Sequence, residues 1–280
     1  MKITFVTLTL ILLTCKFGFS QNQDNAQKNN RKGDLYLYWG WNRSWFSDSD
    51  ITFKGDNYDF TLDKVRAFDR QSDFGYDPYF KLGEITIPQY NVRIGYFIHN
   101  NYSISLGTDH MKYVMRQDQT VNISGHIENS GTDYDGIYNN DHIVLTEDFL
   151  TFEHTDGLNY VNTDFRRHDE IFSWNKVKIN LNEGIGVGVL FPKTNTKLLD
   201  YERYDEFHVT GFGISGVVAL NINFFKYFFV QSEFKGGYIN MPNIRTTLSS
   251  SDSASQDFFF TQLNIVFGAV INLKGNKKGL

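Results

Sequence analysis

Apolar and polar residues alternate with a period of two along eight stretches of this chain, and the connections between them alternate short and long. Period-two alternation marks a strand with one apolar and one polar face. The stretches are 34–46, 88–99, 102 onward, 158–171, 177–189, 207–222, 228 onward and 259–273. Asn100-Asn101, Ser173-Trp174-Asn175 and the segment 223–226 read as tight turns, since Asn tolerates positive φ. The connections 47–87, 117–156, 192–206 and 242–256 are long and follow only odd-numbered strands, so all four emerge on one side. A soluble sandwich has no reason to sort its loops by length. The pattern predicts an all-β fold, an antiparallel up-and-down transmembrane β-barrel of about eight strands with short periplasmic turns and long extracellular loops. Hairpins within 47–87 or 117–156 would raise the count to ten. The segment 51–62, centred on Lys54-Gly55-Asp56, reads as one of them.

The fifth stretch shows the two faces most clearly. Val177, Ile179, Leu181, Ile185, Val187 and Val189 share one side; Lys178, Asn180, Asn182, Gly184, Gly186 and Gly188 share the other. The strict spacing makes those glycines inward strand positions that relieve crowding, rather than a phosphate-cradling loop. Two places break the parity. After Asp109, His110 and Lys112 would face outward while Met111, Tyr113 and Met115 turn inward, so a bulge is expected near Asp109. Glu183 falls on the lipid side, where a charge costs about 2–4 kcal/mol, less for Glu than for Lys or Arg, so Glu183-Gly184 is expected to bulge.

Composition sets the address. Lys2, an apolar run over 3–14 and Gly18-Phe19-Ser20 form a cleavable export signal over 1–20, with Gln21 as mature start. Cys15 invites a lipoprotein reading, but Leu13 and Thr14 fit a lipobox poorly. A polar leader over 21–33, expected to be flexible, then precedes the barrel over 34–273 and a polar tail over 274–280. Removing 1–20 takes away two lysines and no acids, leaving 25 Lys+Arg against 32 Asp+Glu, a balance of −7. An acidic chain argues against a nucleic-acid partner. The single cysteine leaves with the signal, which rules out disulfides and a cysteine nucleophile in the mature chain. No run of eighteen apolar residues offers a transmembrane helix.

The chemistry-bearing residues point in three directions. Inward parity gathers Arg93, Arg166, Lys178 and Lys235 with Asp109, Asp164 and Glu233, an expected lumen charge network, since buried charges must pair. Asp109-His110 and His168 are weak catalytic candidates, because adjacent residues on a regular strand face opposite sides. The acidic connection 117–156 holds Asp133, Asp135 and Asp141 as weak metal candidates; Asp133-Tyr134-Asp135-Gly136 has its glycine too early for an EF-hand loop. No cofactor is expected. The expected partners are outer-membrane lipids and lipopolysaccharide, with the barrel-assembly machinery during insertion.

The stretches Tyr38-Trp39-Gly40-Trp41-Asn42-Arg43, Ile87-Pro88-Gln89-Tyr90-Asn91, Asp109-His110-Met111-Lys112-Tyr113-Val114-Met115 and Lys235-Gly236-Gly237-Tyr238-Ile239-Asn240 carry a resemblance. With them the mature chain resembles a family of small eight-strand outer-membrane β-barrel proteins of Bacteroidota-type bacteria, a family that brings no established activity. The last stretch resembles a barrel insertion signal, departing from it where Lys274 to Leu280 replace a terminal aromatic. The expected function is a non-enzymatic surface protein of a Gram-negative envelope, with a lipid-modifying hydrolase or acyltransferase, or a narrow channel, as alternatives.

Overall fold

The computed structural model describes residues 30–273 except 82, 200 and 202–205. The expected signal over 1–20, the leader up to residue 29 and the tail 274–280 lie outside the described residues. Arg31–Leu280 forms the unit that carries the sheet.

Eight long strands form the wall: β1 (Asp34–Phe46), β5 (Tyr90–His99), β6 (Tyr102–Met115), β9 (Leu150–Trp174), β10 (Val177–Leu190), β12 (Gly211–Phe224), β13 (Phe228–Arg245) and β14 (Ser253–Asn272). Each pairs antiparallel with the next in sequence among these eight, and β1 pairs with β14 over its whole length, so the sheet closes into a ring. Asn100-Asn101 and Asn175-Lys176 make two-residue turns at one end, with Asn175 at φ 51°. Leu37, Ile94, Leu106, Phe165, Ile185, Ile214, Phe234 and Leu263, one from each wall strand, are all exposed on the outside. A surface of that kind belongs against hydrocarbon, and a closed ring leaves no unpaired edge within it. The ring is a transmembrane β-barrel.

The described residues form fourteen strands where the sequence pattern predicts about eight, because the sheet continues past the loop end of the ring. The upper part of β14 pairs with β2 (Ser49–Gly55), β2 with β3 (Tyr58–Val65), β3 with β7 (Thr120–Ile127) and β7 with β8 (Gly136–Val144). Two short strands, β4 (Ala67–Asp69) and β11 (Asn195–Leu198), lengthen the wall beside β6 and β9. The Asp56-Asn57 turn makes β2 and β3 the hairpin read over 51–62. We call this upper region the crown.

Both expected bulges are corrected. Pairing runs unbroken from Tyr90↔His110 through Arg93↔Gly107, and the register of β6 against β9 shifts only between Met111 and Tyr113. Met111, Tyr113 and Met115 point inward because the interior there is apolar: all three belong to the main hydrophobic core. Pairing also runs unbroken through Glu183↔Val218 and Glu183↔Arg167; the irregularity in β10 lies at Ile179/Asn180. Glu183 keeps its outward position with an arginine directly across the strand pair, and Arg167 itself pairs with Asp169 at 2.7 Å. Opposite charges on neighbouring strands stabilise this site without a bend.

The end of the leader is ordered by its contacts. Gly33 N–H donates to Phe97 O at 2.8 Å, Arg31 Nη2 donates to Asn180 Oδ1 at 3.3 Å, and the guanidinium stacks 5.3 Å from the Phe97 ring.

Candidate functional site: the filled lumen and the crown

Three layers of side chains fill the ring. At the turn end Tyr36, Tyr38, Phe97, Phe229 and Val266 make a small buried cluster. Above it lies a charge network in which all members are buried. Asp164 accepts from Arg166 Nη2 at 2.7 Å and stands 3.2 Å from Arg93 Nη1; Glu233 accepts from Arg166 Nη1 at 2.5 Å. Lys235 Nζ donates to Asp109. Six β-strand positions thus balance three cations against three carboxylates. The pairing compensates the several kcal/mol that each ion would lose on leaving water.

Uncharged residues that sequence reasoning passed over complete the network. Tyr38 Oη accepts from Arg93 Nε and Arg166 Nη2, each at 3.1 Å, and donates to Glu233 Oε1 at 3.1 Å. Asn162 donates to Asp109 at 2.9 Å, Gln231 to Glu233 at 2.5 Å and Asn264 to Glu233 at 3.1 Å. Their signal was available: each has inward parity. Lys178 stays apart, pairing with Glu170 at 3.0 Å at the turn end with about a quarter of its side chain exposed.

In the order of the ring, β6 and β13 lie diametrically opposed, as do β9 and β14. The Lys235–Asp109 pair therefore spans the full width of the lumen. Above it Tyr160 packs on Phe260 with ring centres 6.1 Å apart and roofs Lys235, whose Nζ lies 5.2 Å from the Tyr160 ring. Higher still, Phe53 of β2 meets Phe152 of β9 at 5.7 Å, which closes the loop-end mouth with hydrocarbon.

The catalytic candidates separate. Asp109 faces the lumen. His110 stacks on Tyr90 at 4.8 Å on the other side of the strand, and its Nδ1 is 2.8 Å from Asn159 Oδ1. His168 sits far below, beside the Asn101 turn, whose carbonyl accepts its backbone N–H at 2.8 Å. What surrounds it was not foreseen: Nε2 lies 2.8 Å from Ser103 Oγ and Nδ1 lies 2.9 Å from Asn182 Oδ1. The Asn182 amide donates to Gln231 Oε1 at 2.7 Å, which turns its oxygen toward the imidazole. Nδ1 then carries the proton and Nε2 faces the hydroxyl, the order of a nucleophile, base and orienting group. Ser103, however, is completely buried. Its three members lie on β6, β9 and β10, so sequence spacing carries no sign of it.

Asp133, Asp135 and Asp141 do not converge, and no group of three or more His, Cys, Asp or Glu among the described residues is placed to hold a metal. Asp135 accepts from Ser130 Oγ at 2.5 Å, and Asp141 stands in β8 accepting from the Asn139 N–H at 2.8 Å. The crown carries a recess of about 280 Å³ lined by Asp56, Asn57, Tyr201, Thr247, Ser249 and Asp252. Burial pushes the neighbouring Tyr58 phenol up from its ordinary pKa.

Three solved structures illustrate what the chain is similar to. The attachment invasion locus protein Ail of Yersinia pestis is 12% identical, with 84% of this chain and 99% of that chain covered at a TM-score of 0.29. Neisserial surface protein A is 7% identical, covering 86% and 100% at 0.33. The outer-membrane protease OmpT of Escherichia coli is 8% identical, covering 90% and 99% at 0.31. These overlaps are low, and the fold described above stands on its own strand pairing. No protein-family model matches the chain, and no curated protein matches it.

Proposed function

We propose that this protein is a non-enzymatic outer-membrane barrel that presents its crown outside a Gram-negative cell as a contact surface. The carrying observation is the filled interior: a diametric Lys235–Asp109 pair below and an apolar lid of Phe53 and Phe152 above leave the wall as an anchor. In this reading the short turns are periplasmic, the loops extracellular, and export follows cleavage after Ser20. The surrounding outer-membrane lipids and lipopolysaccharide are its partners, with the assembly machinery acting at insertion; Bacteroidota-type bacteria are its proposed source on the motifs quoted above. The wall's apolar exterior supports the membrane, and the crown's polar edge strand supports the aqueous side, since β8 exposes Asn140, Asp141 and His142 where an apolar edge would recruit other strands.

An epitope inserted after Gly131, an open turn position with φ 74°, tests the reading. Antibody binding to intact cells is the expected result; binding only after permeabilisation would sink it. Planar-bilayer recording tests the narrow-channel alternative, with no steady conductance expected from the intact chain.

A second reading has one observation in its favour. The Ser103–His168–Asn182 relay has the hydrogen-bond order of a serine hydrolase. A fluorophosphonate probe decides: modification of Ser103 in the folded barrel supports a hydrolase, and an unlabelled serine supports the anchor.

A further inference from the structure

The connection leaving β4 does not rise into the crown; it folds back down the outside of the wall. Asp69 and Gln89 pin its two ends, the Gln89 amide donating to Asp69 at 2.7 Å and to Arg70 O at 2.6 Å. Between them Tyr79 and Phe80 lie against Trp41, with ring centres 5.7 and 5.4 Å away. Trp41 belongs to the outward row of β1, two residues below Arg43 and four below Trp45. Arg43 stacks over Trp45 at 5.7 Å, the pairing of cation and indole that suits a membrane–water interface. At about 3.3 Å of rise per residue, Trp41 sits about 7 Å further along the strand toward the membrane interior than Arg43. Ile265, directly across from Trp41 on β14, is itself exposed on the apolar wall.

The outer side of the folded-back segment is the informative one. Phe74 and Tyr76 are 80% and 74% exposed, and Phe80 is exposed beside them. Phe74 packs on Tyr79 at 5.2 Å, so the three form one continuous aromatic patch with the wall. Lys81 pairs with Asp77 at 3.1 Å and with Glu84, which offsets part of the segment's charge, while Asp73 stands exposed beside Phe74.

We propose that residues 72–81 form an aromatic foot embedded in the lipid leaflet on the crown side, with Phe74, Tyr76 and Phe80 among the acyl chains. The occupant of this patch is lipid, because the patch continues the lipid-facing wall below its interfacial row. Apolar surface left in water is unfavourable, and aromatic side chains with a polar tip favour this depth. The foot would lengthen the anchor on the β1 side and fix the tilt of the barrel. It rests on the membrane-anchor reading.

The test uses the mature chain, in which Tyr76→Cys is the sole thiol, labelled with an environment-sensitive nitrobenzoxadiazole and refolded into phosphatidylcholine vesicles. Ile214→Cys on the wall and Ile137→Cys in the crown are labelled in parallel. Circular dichroism verifies the strand content of each. The expected result is strong quenching of the Tyr76 and Ile214 labels by brominated phospholipid with little quenching by iodide, and the reverse at Ile137. Quenching of Ile214 by bromolipid and of Tyr76 by iodide overturns the foot and leaves the anchor standing. Iodide quenching at all three positions overturns both. Protection of Tyr76 from both quenchers, with cross-linking between copies, overturns lipid as the occupant.

Discussion

The wall and the crown are built from the same strands with opposite polarity. In the wall, β6 sends Ser103, Ser105 and Asp109 inward and Ile104 and Leu106 outward; a few residues on, the same inward row becomes Met111, Tyr113 and Met115. β14 does likewise, with Gln262 and Asn264 inward below and Phe258 and Phe260 inward above. The backbone alternation does not slip along either of these two strands. What changes is the solvent outside: hydrocarbon around the wall selects apolar outer residues and leaves the interior to polar ones, whereas water around the crown reverses both choices. Tyr160 marks the boundary, an aromatic ring over Lys235 whose hydroxyl donates to Gly213 O at 3.0 Å.

The largest effect should come from the wall's interior. Arg166→Met leaves Asp164 and Glu233 without their main partner and should cost about 3–5 kcal/mol in urea unfolding from vesicles. A loss under about 1 kcal/mol would mean that the lumen holds enough water to solvate both carboxylates. In the crown, Phe60→Ala removes a fully buried ring stacked on Phe53 at 5.3 Å. It should cost about 3–5 kcal/mol locally. The comparison sharpens if protease then cuts crown segments while the wall strands stay protected; simultaneous loss of both would show one cooperative unit.

Gly186→Ala probes the wall more gently. A Cβ there would collide with Asp164 Oδ1, so the network must shift, at about 1–3 kcal/mol by analogy with overpacked cores. Unchanged stability would show that the charge layer is not tightly packed. The smallest step is a pH dependence in the crown. His154 is fully buried, its Nδ1 2.9 Å from Thr194 Oγ1, and burial lowers its pKa from 6.5 to about 3. Between those values the unfolded chain binds the proton and the folded crown does not. The His154 contribution is therefore complete above pH 6.5 and falls by about 1.4 kcal/mol per pH unit below it. Subtracting the melting curve of His154→Gln should isolate that slope; parallel curves would show that protons reach the imidazole in the folded state.

Much of the wall was legible because its cause is local. Period two along 177–189 places Val187 outside and Gly186 inside regardless of what β10 pairs with, and Asn100-Asn101 makes its turn from its own backbone preferences. Tight turns between consecutive stretches then force antiparallel neighbours. The same parity marked Arg93, Asp109, Asp164, Arg166, Glu233 and Lys235 as inward. It also marked Lys178, which sits too near the turn end to join them. The crown was less legible: Thr120–Ile127 carries its alternation of Val121, Ile123 and Ile127 over only eight residues, and β8 has no buried face to impose alternation.

Sequence by itself determined the alternation, the tight turns and hence the number of wall strands, since each follows from residues within a few positions of one another. Tertiary structure alone decided where lipid gives way to water along β6, β9 and β14. It also decided which side chains meet across the ring, such as Lys235 with Asp109, and that the segment after β4 turns down onto Trp41. Those outcomes depend on closure of the ring, which sets every cross-lumen distance at once and is written in no single stretch of the chain.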